Sequence, residues 1–228
     1  MSNARKQARK VAIQGEIRKR EDALGVPTER RVFVFKQHYY DEGGPRPLSV
    51  KEFQEGPDDF DFERWRDRLR RAAVQWEPVE IVPDDDPEIP PDLSVGDYSE
   101  FNGLMIFSAR TATALRNLLQ PCGVLLPLVC KTDEYVGFRL DAETDVLDVE
   151  KTRASWWPRK EAASSIYTYA FHTERLGTAA IFRVPQHFEV LVNQEFVTTV
   201  RSHGFSGFRF CRVWPTAMAT LWWYENWC

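Results

Sequence analysis

A proline-rich acidic segment, PDDDPEIPPDL at residues 83–93, constrains the fold of this chain more than any other feature. Four of its first nine residues are proline. Each proline removes a backbone donor and fixes φ, so the segment cannot continue a helix or a central strand. We expect an exposed connector here. It predicts an N-terminal lobe over residues 1–92 and a C-terminal domain over residues 93–228, unless both belong to one continuous domain.

Charge is distributed unevenly along the 228 residues, whose formal net charge is −4. Residues 1–36 carry ten Lys/Arg against four Asp/Glu, whereas residues 41–100 carry seven against eighteen. This segregation indicates a basic arm and an acidic region. Solubility is the simplest role for the acidic region, but an acidic surface also steers and binds a basic partner. The functional alternative predicts a partner interface at Asp58, Asp59, Asp61, Asp84, Asp85 and Asp86.

The C-terminal tail TLWWYENWC adds Trp222 and Trp223 to this predicted interface, because tryptophan often anchors protein–protein contacts. A terminal helix or strand docked on the chain's own core explains the same tail at least as well. Both interpretations stay open on the sequence alone.

The basic arm predicts a long N-terminal helix over residues 2–22, with Ser2 or Asn3 as its cap. Its large apolar residues are few, so a solvated helix is the simplest interpretation. The alternative is an arm that binds nucleic acid or an acidic partner. Nucleic acid is the less favoured partner, because aromatic residues do not interleave with the basic ones.

The cellular compartment is predicted from three features. No segment approaches the ~20 apolar residues of a membrane span, and the N-terminus lacks the apolar core of a secretory signal. The four cysteines form no CxxC pair. Reduced thiols in a cytoplasmic protein are the simplest account, and two bridges in an exported protein are the alternative.

Residues beyond the connector alternate between strand and helix patterns. GLMIF predicts a buried strand, and GVLLPLVC followed by EYVGFRL predicts a hairpin. Ser108 stands at the start of ARTATALRNLL, which predicts a helix that Pro121 ends. Earlier in the chain, Phe62, Trp65 and Leu69 fall at helical spacing, with Asp59 or Asp61 as the cap. The sequence therefore predicts an α+β fold with a mixed, mostly antiparallel sheet and flanking helices.

The stretch HGFSGF at residues 203–208 resembles catalytic machinery at first sight. A nucleophile elbow needs G-x-S-x-G between a strand and a helix, yet Phe208 occupies the last position and the order is helix, then strand. Asn193 instead caps the helix, and Gly204 ends it in the left-handed conformation. We therefore assign structural roles to Ser108, Asn193, Gly204, Gly207, Phe208, Phe210 and Trp214.

The sequence gives little indication of metal binding or of acid–base catalysis. The four histidines are scattered without metal-ligand spacing, and the carboxylates cluster in the exposed acidic run, away from apolar segments that would raise a pKa. We expect no catalytic residue, no cofactor and no metal. An enzyme with a site assembled from distant histidines and carboxylates is the alternative.

Three segments together resemble a known family. They are FSARTATALRNLLQPCGVLLPL at 107–128, YAFHTERLGTAAIFRVP at 169–185 and NQEFVTTVRSHGFSGFRFCRVW at 193–214. In this order they resemble the predicted immunity proteins of bacterial polymorphic toxin systems, specifically immunity protein family eleven. The resemblance covers about half the chain. Within residues 1–100, only an opening strand, VFVF, is similar to the family.

The resemblance implies an α+β cytoplasmic protein without a catalytic motif. Such a protein binds a cognate toxin encoded nearby and neutralises it by covering the toxin's active site or substrate surface. The implied partner is therefore a protein toxin used in competition between bacteria, with no membrane, and homodimerisation is left open.

Overall fold

The computed structural model of the chain describes residues 25, 27–58 and 60–215. The helix predicted over residues 2–22 lies outside the described residues, as do Asp59, Trp222 and Trp223. The described strands are β1 (Val32–Gln37), β2 (Leu48–Val50), β3 (Val79–Pro83), β4 (Tyr98–Phe101), β5 (Leu104–Ser108), β6 (Gly123–Val129), β7 (Tyr135–Leu140), β8 (Arg153–Trp156), β9 (Ala163–Thr168), β10 (Ile181–Val184), β11 (His187–Asn193) and β12 (Phe208–Trp214). The α-helices are α1 (Lys51–Glu55), α2 (Phe62–Arg71), α3 (Ala109–Leu119) and α4 (Gln194–Ser202).

The predicted class, mixed helix and strand with mostly antiparallel sheets, is confirmed. Strands β3 and β6 pair in parallel, whereas the antiparallel pairs are β1–β11, β10–β11, β2–β3, β4–β5, β5–β7, β6–β7 and β8–β9. Residues 84–92 form neither helix nor strand, as their prolines predict. Pro83 is the last residue of β3, a position that a strand tolerates.

The chain divides into two compact units that interleave along the sequence. The first unit holds the residues up to Phe35, Glu143–Glu195 and the residues from Phe210 onward. The second unit holds Lys36–Ala142 and Phe196–Arg209, so the acidic connector lies within it.

The first unit is built on a four-stranded sheet in the order β10-β11-β1-β12. The antiparallel register pairs Val32 with Asn193 and Phe35 with Val190. The run Val32–Phe35 is buried throughout, as its unbroken apolar sequence demands of a strand covered on both faces.

A separate hairpin of the first unit, β8–β9, turns through a left-handed tip. Arg159 and Lys160 have φ values of +68° and +56°, which non-glycine residues rarely adopt. The exposed Trp157 closes the tip, since its N–H donates to Ala162 O at 2.9 Å.

The second unit is built on a six-stranded sheet in the order β2-β3-β6-β7-β5-β4. The sheet curls until its first and last strands approach each other. Leu48 N of β2 donates to Ser99 Oγ of β4 at 2.8 Å, and an isolated parallel bridge joins Arg46 to Val95. Ser99 is 1% exposed, so this polar link lies in the interior.

Helix α2 covers an aromatic part of that unit's core. As its spacing predicts, Trp65 and Leu69 are buried, and they pack in one apolar cluster with Ile81, Leu104 and Ile106. Asp61 caps the helix, because its Oδ1 accepts from Arg64 N at 2.9 Å. At the other end, Arg139 Nη1 donates to the carbonyls of Leu69 and Arg70, both at 2.8 Å.

Helix α3 and the β6–β7 hairpin confirm the pattern-based predictions. Ala112, Leu115 and Leu119 form the buried face of α3. The hairpin pairs Leu125 with Phe138 antiparallel. None of the helices in the described part of the chain is long and apolar enough to cross a membrane.

The cysteines differ in state. Cys122 is a buried free thiol and Cys130 a half-buried one, whereas Cys211 is disulfide-bonded. The expectation of four reduced thiols is therefore wrong.

Candidate partner-binding surface

The acidic connector is an ordered loop of the second unit. Asp84 N donates to Pro47 O at 2.9 Å, and Arg46 binds two carbonyls of the loop, those of Asp84 (Nε at 2.7 Å) and Pro91 (Nη1 at 3.3 Å). Ile89 anchors the loop at 4% exposure. The connector therefore presents its carboxylates from a fixed backbone.

Two of these carboxylates shape the loop locally, and two are unengaged. Asp84 Oδ1 accepts from Asp86 N at 3.1 Å, and Asp86 Oδ1 accepts from Glu88 N at 2.9 Å; such Asx turns are typical of aspartate in loops. Asp85 and Glu88 are exposed. Their side chains form no hydrogen bond or ion pair among the described residues.

A short 3-10 turn, Tyr40–Glu42, precedes the segment Arg46–Pro47, which is hydrogen-bonded to Asp84 of the loop. Partial burial raises the pKa of Tyr40, and the carboxylates of Asp86, Glu88, Asp41 and Asp84 raise it further. Burial likewise raises the pKa of Tyr39, and the carboxylates of Glu100, Glu42 and Asp41 raise it further. We define the acidic tyrosine surface as Tyr39, Tyr40, Asp41, Glu42, Asp84, Asp85, Asp86 and Glu88.

An open groove of about 570 Å³ lies beside α1 and α2 of the same unit. Asp61 lines this groove, whereas the exposed Asp58 stands just ahead of α2. Gln54 Nε2 of α1 donates to Pro83 O at 3.1 Å, where the acidic loop begins. Of the predicted interface residues, the structure thus places Asp61 at the groove and Asp84–Asp86 on the loop.

The HGFSGF stretch is bound to a buried carboxylate, that of Asp97. Asp97 is 4% exposed. It accepts two hydrogen bonds from Arg110, Nε to Oδ1 and Nη2 to Oδ2, both at 2.6 Å. Ser108 Oγ donates to it at 2.8 Å, and Ser206 donates through its N at 2.9 Å and Oγ at 3.1 Å. Burial raises the pKa of Asp97, but these donors outweigh it and hold the pKa below its ordinary value.

In this Asp97 cluster, both carboxylate oxygens accept hydrogen bonds that connect parts of the fold. Its atoms join the loop after α4 to the start of α3, where Ser108 Oγ also accepts from Thr111 N at 3.4 Å. Arg110 lies over the Phe205 ring, 5.4 Å from its centroid. The arrangement holds a corner in place and presents no nucleophile–base pair.

The remaining residues given structural roles lie at turns and in ring contacts. Gly204 and Gly207 have φ values of +64° and +86°. Asn193 directly precedes α4, and its N–H donates to Ala180 O at 3.0 Å. The ring contacts pair Phe208 with Tyr98, Phe210 with Phe35, and Trp214 with Phe171.

Sequence reasoning missed Tyr39, Tyr40, Asp41 and Glu42, and also Asp97. The dipeptides YY and DE before a Gly/Pro turn were visible, but no local pattern shows that they fold beside residues 84–88. In the part of the chain that the structure describes, no three His, Cys, Asp or Glu side chains are grouped to hold a metal ion.

No protein-family model matches the chain. No curated protein matches it significantly.

Proposed function

We propose that this protein binds a basic antibacterial protein toxin and neutralises it by occlusion, without chemistry of its own. The observation that supports this most directly is the acidic tyrosine surface, in which an ordered acidic loop is fixed to the segment that follows the Tyr40–Glu42 turn. Glu42 itself is paired with Arg209, so the loop carboxylates supply the unpaired charge. The resemblance of residues 107–128, 169–185 and 193–214 to immunity protein family eleven points to the same class of partner.

The surface has the composition of a recognition site. Tyrosine is enriched among residues that dominate binding energy, since it combines a large apolar ring with a polar tip. Tyr39 is 53% exposed, so its ring is accessible. The carboxylates accelerate encounter with a cationic partner. Toxins that act on nucleic acid are commonly basic on the face that binds it, and this is the face that an inhibitor would cover.

A rescue assay tests the proposal. The reading frame adjacent to this gene is expressed in a sensitive bacterium with and without this protein, growth is followed, and a tagged copy is used for pull-down. We expect toxicity alone, restored growth on co-expression, and a co-purifying pair. A toxic neighbour that is neither rescued nor bound would contradict the proposal.

The proposal includes a cytoplasmic location, where an incoming toxin would meet its inhibitor. Cell fractionation with immunoblotting tests it. Recovery of the protein in an oxidising compartment would contradict that location and would agree with the disulfide at Cys211, since disulfides are rare in the cytoplasm.

A further inference from the structure

The groove beside α1 and α2 has an aromatic floor. Phe60 and Trp65 line it, with ring centroids 6.1 Å apart and planes inclined by 51°. Trp65 Nε1 donates to Asn102 O at 3.2 Å, and Trp65 is 3% exposed. The floor is therefore rigid, and the half-buried Phe60 is its accessible ring.

Four carboxylates of the groove lining have spare acceptor capacity, and that of Glu77, like that of Glu52, has no partner among the described residues. Glu52 forms no hydrogen bond or ion pair with the described residues. Glu55 lies 3.5 Å from Lys51 Nζ, which approaches Glu80 more closely, at 3.1 Å. Asp61 commits only Oδ1 to the helix cap.

The cations of the groove are mostly engaged. Arg71 Nη2 pairs with Asp67 Oδ2 at 3.0 Å. Arg68 donates to Glu77 O at 2.6 Å and lies over the Trp76 ring at 5.2 Å. Arg64 is the lining cation without a side-chain partner among the described residues.

We propose that this groove binds the guanidinium group of an arginine side chain from a partner protein. A guanidinium is planar, stacks on an aromatic face and forks onto carboxylates; the groove offers both kinds of group, and two of its three lining arginines are already engaged. The assignment of this arginine to a toxin rests on the proposed function. The selectivity of the groove for a guanidinium is independent of that function.

The experiment is an NMR titration of the full-length, ¹⁵N-labelled protein with a blocked Gly-Arg-Gly peptide. A blocked Gly-citrulline-Gly peptide, equal in shape and uncharged, is the matched control. We expect saturable shifts at the amides of residues 52–64 and at the Trp65 indole. The citrulline peptide should bind about fivefold more weakly or worse, because it loses the charge-assisted hydrogen bonds.

Substitutions distinguish binding in the groove from a general attraction to an acidic protein. Glu55→Gln with Asp61→Asn should weaken arginine binding about fivefold, and Asn at residue 61 still caps the helix. Arg64→Gln should strengthen binding by removing a like charge. Glu63→Gln, on the same helix but paired with Arg66 and outside the groove lining, should leave binding unchanged.

Equal affinity for the two peptides would overturn the inference, as would unchanged binding by the Glu55/Asp61 variant. Shifts confined to residues 84–88 would overturn it too. The titration needs no toxin, so its failure leaves the proposed function standing, and a failed rescue assay leaves a positive titration standing.

Discussion

Gly207 is subject to two independent backbone constraints. Its φ is +86°, and a Cβ at this position would lie 2.5 Å from Tyr98 O. Gly204 has the first constraint only, with φ at +64° and open space around it. Gly177 has neither. Gly207, Gly204 and Gly177 thus form a graded series.

Alanine substitutions should follow that order in the free energy of unfolding, measured by urea denaturation. We expect Gly207→Ala to cost about 3 kcal/mol, since strain and a backbone clash add. Gly204→Ala should cost about 1 kcal/mol, and Gly177→Ala should be neutral or stabilise by about 0.5 kcal/mol. Equal costs at Gly207 and Gly204 would contradict the clash.

Asp97 makes stability depend on pH. Its folded-state pKa is depressed because the donors of Arg110, Ser206 and Ser108 outweigh burial. The carboxylate therefore stabilises the fold above its unfolded pKa of about 3.9, and this contribution is lost as pH falls through the lower folded-state value.

Asp97→Asn should lower the free energy of unfolding by about 2 kcal/mol at pH 7, because it leaves the donors without their charged acceptor. Below about pH 4 the gap from the unmodified protein should shrink. Urea melts at several pH values measure both effects. Asp92→Asn, at an exposed position, is the control and should change stability by under about 0.5 kcal/mol. A constant gap at all pH values would refute this role.

Among the elements, the β8–β9 hairpin tip concentrates local strain. Arg159 and Lys160 both adopt positive φ at consecutive positions, where glycine or asparagine is the usual choice. The tip also carries Trp157, which is 63% exposed.

Arg159→Gly should therefore stabilise the chain by about 0.5–1 kcal/mol, since glycine accepts the left-handed conformation without steric cost. Ala154→Gly, inside β8, serves as the opposite control and should destabilise, because glycine weakens a strand interior. Differential scanning calorimetry measures both. A lower melting temperature for Arg159→Gly would contradict the strain.

Elements with a clear period were predictable, and short ones were not. The spacing of Phe62, Trp65 and Leu69 identified α2, and the apolar runs flanking KTDE identified the β6–β7 hairpin. By contrast, Leu48–Val50 and Lys51–Glu55 are too short to show a period. Their conformations are set by pairing with β3 and by packing on the core, which are non-local.

For the molecule as a whole, charge segregation was the most informative signal about binding. It located Asp84–Asp86 correctly in an exposed acidic loop. It could not show that Tyr40 comes within electrostatic range of that loop, since about 45 residues separate them in the sequence. It comes from the pairing of β2 with β3, which sets Leu48 opposite Pro83, and no local pattern encodes that pairing.

Charge reversal tests the acidic tyrosine surface once the toxin is in hand. Asp85→Lys with Glu88→Lys should slow association at least about tenfold at low salt and reduce its salt dependence. Neither side chain bonds to any residue that the structure describes, so the fold should be retained. Stopped-flow or surface plasmon resonance provides the rates.

The matched control is Asp133→Lys with Glu134→Lys, two exposed acidic residues in the β6–β7 turn. It changes the net charge by the same amount at another position and should alter the rate by less than about twofold. If both variants slowed association equally, the effect would come from the net charge of the protein, and a localised binding surface would be contradicted.

The hydrogen bond from Leu48 N to Ser99 Oγ has a consequence for how the second unit meets other proteins. A free edge strand offers its N–H groups as a template for an incoming strand. Here an N–H of one terminal strand is already bound by a side chain of the other, inside the unit. Strand addition at this seam is blocked, which protects the sheet from edge-to-edge aggregation and leaves recognition to side chains on its loops and helices.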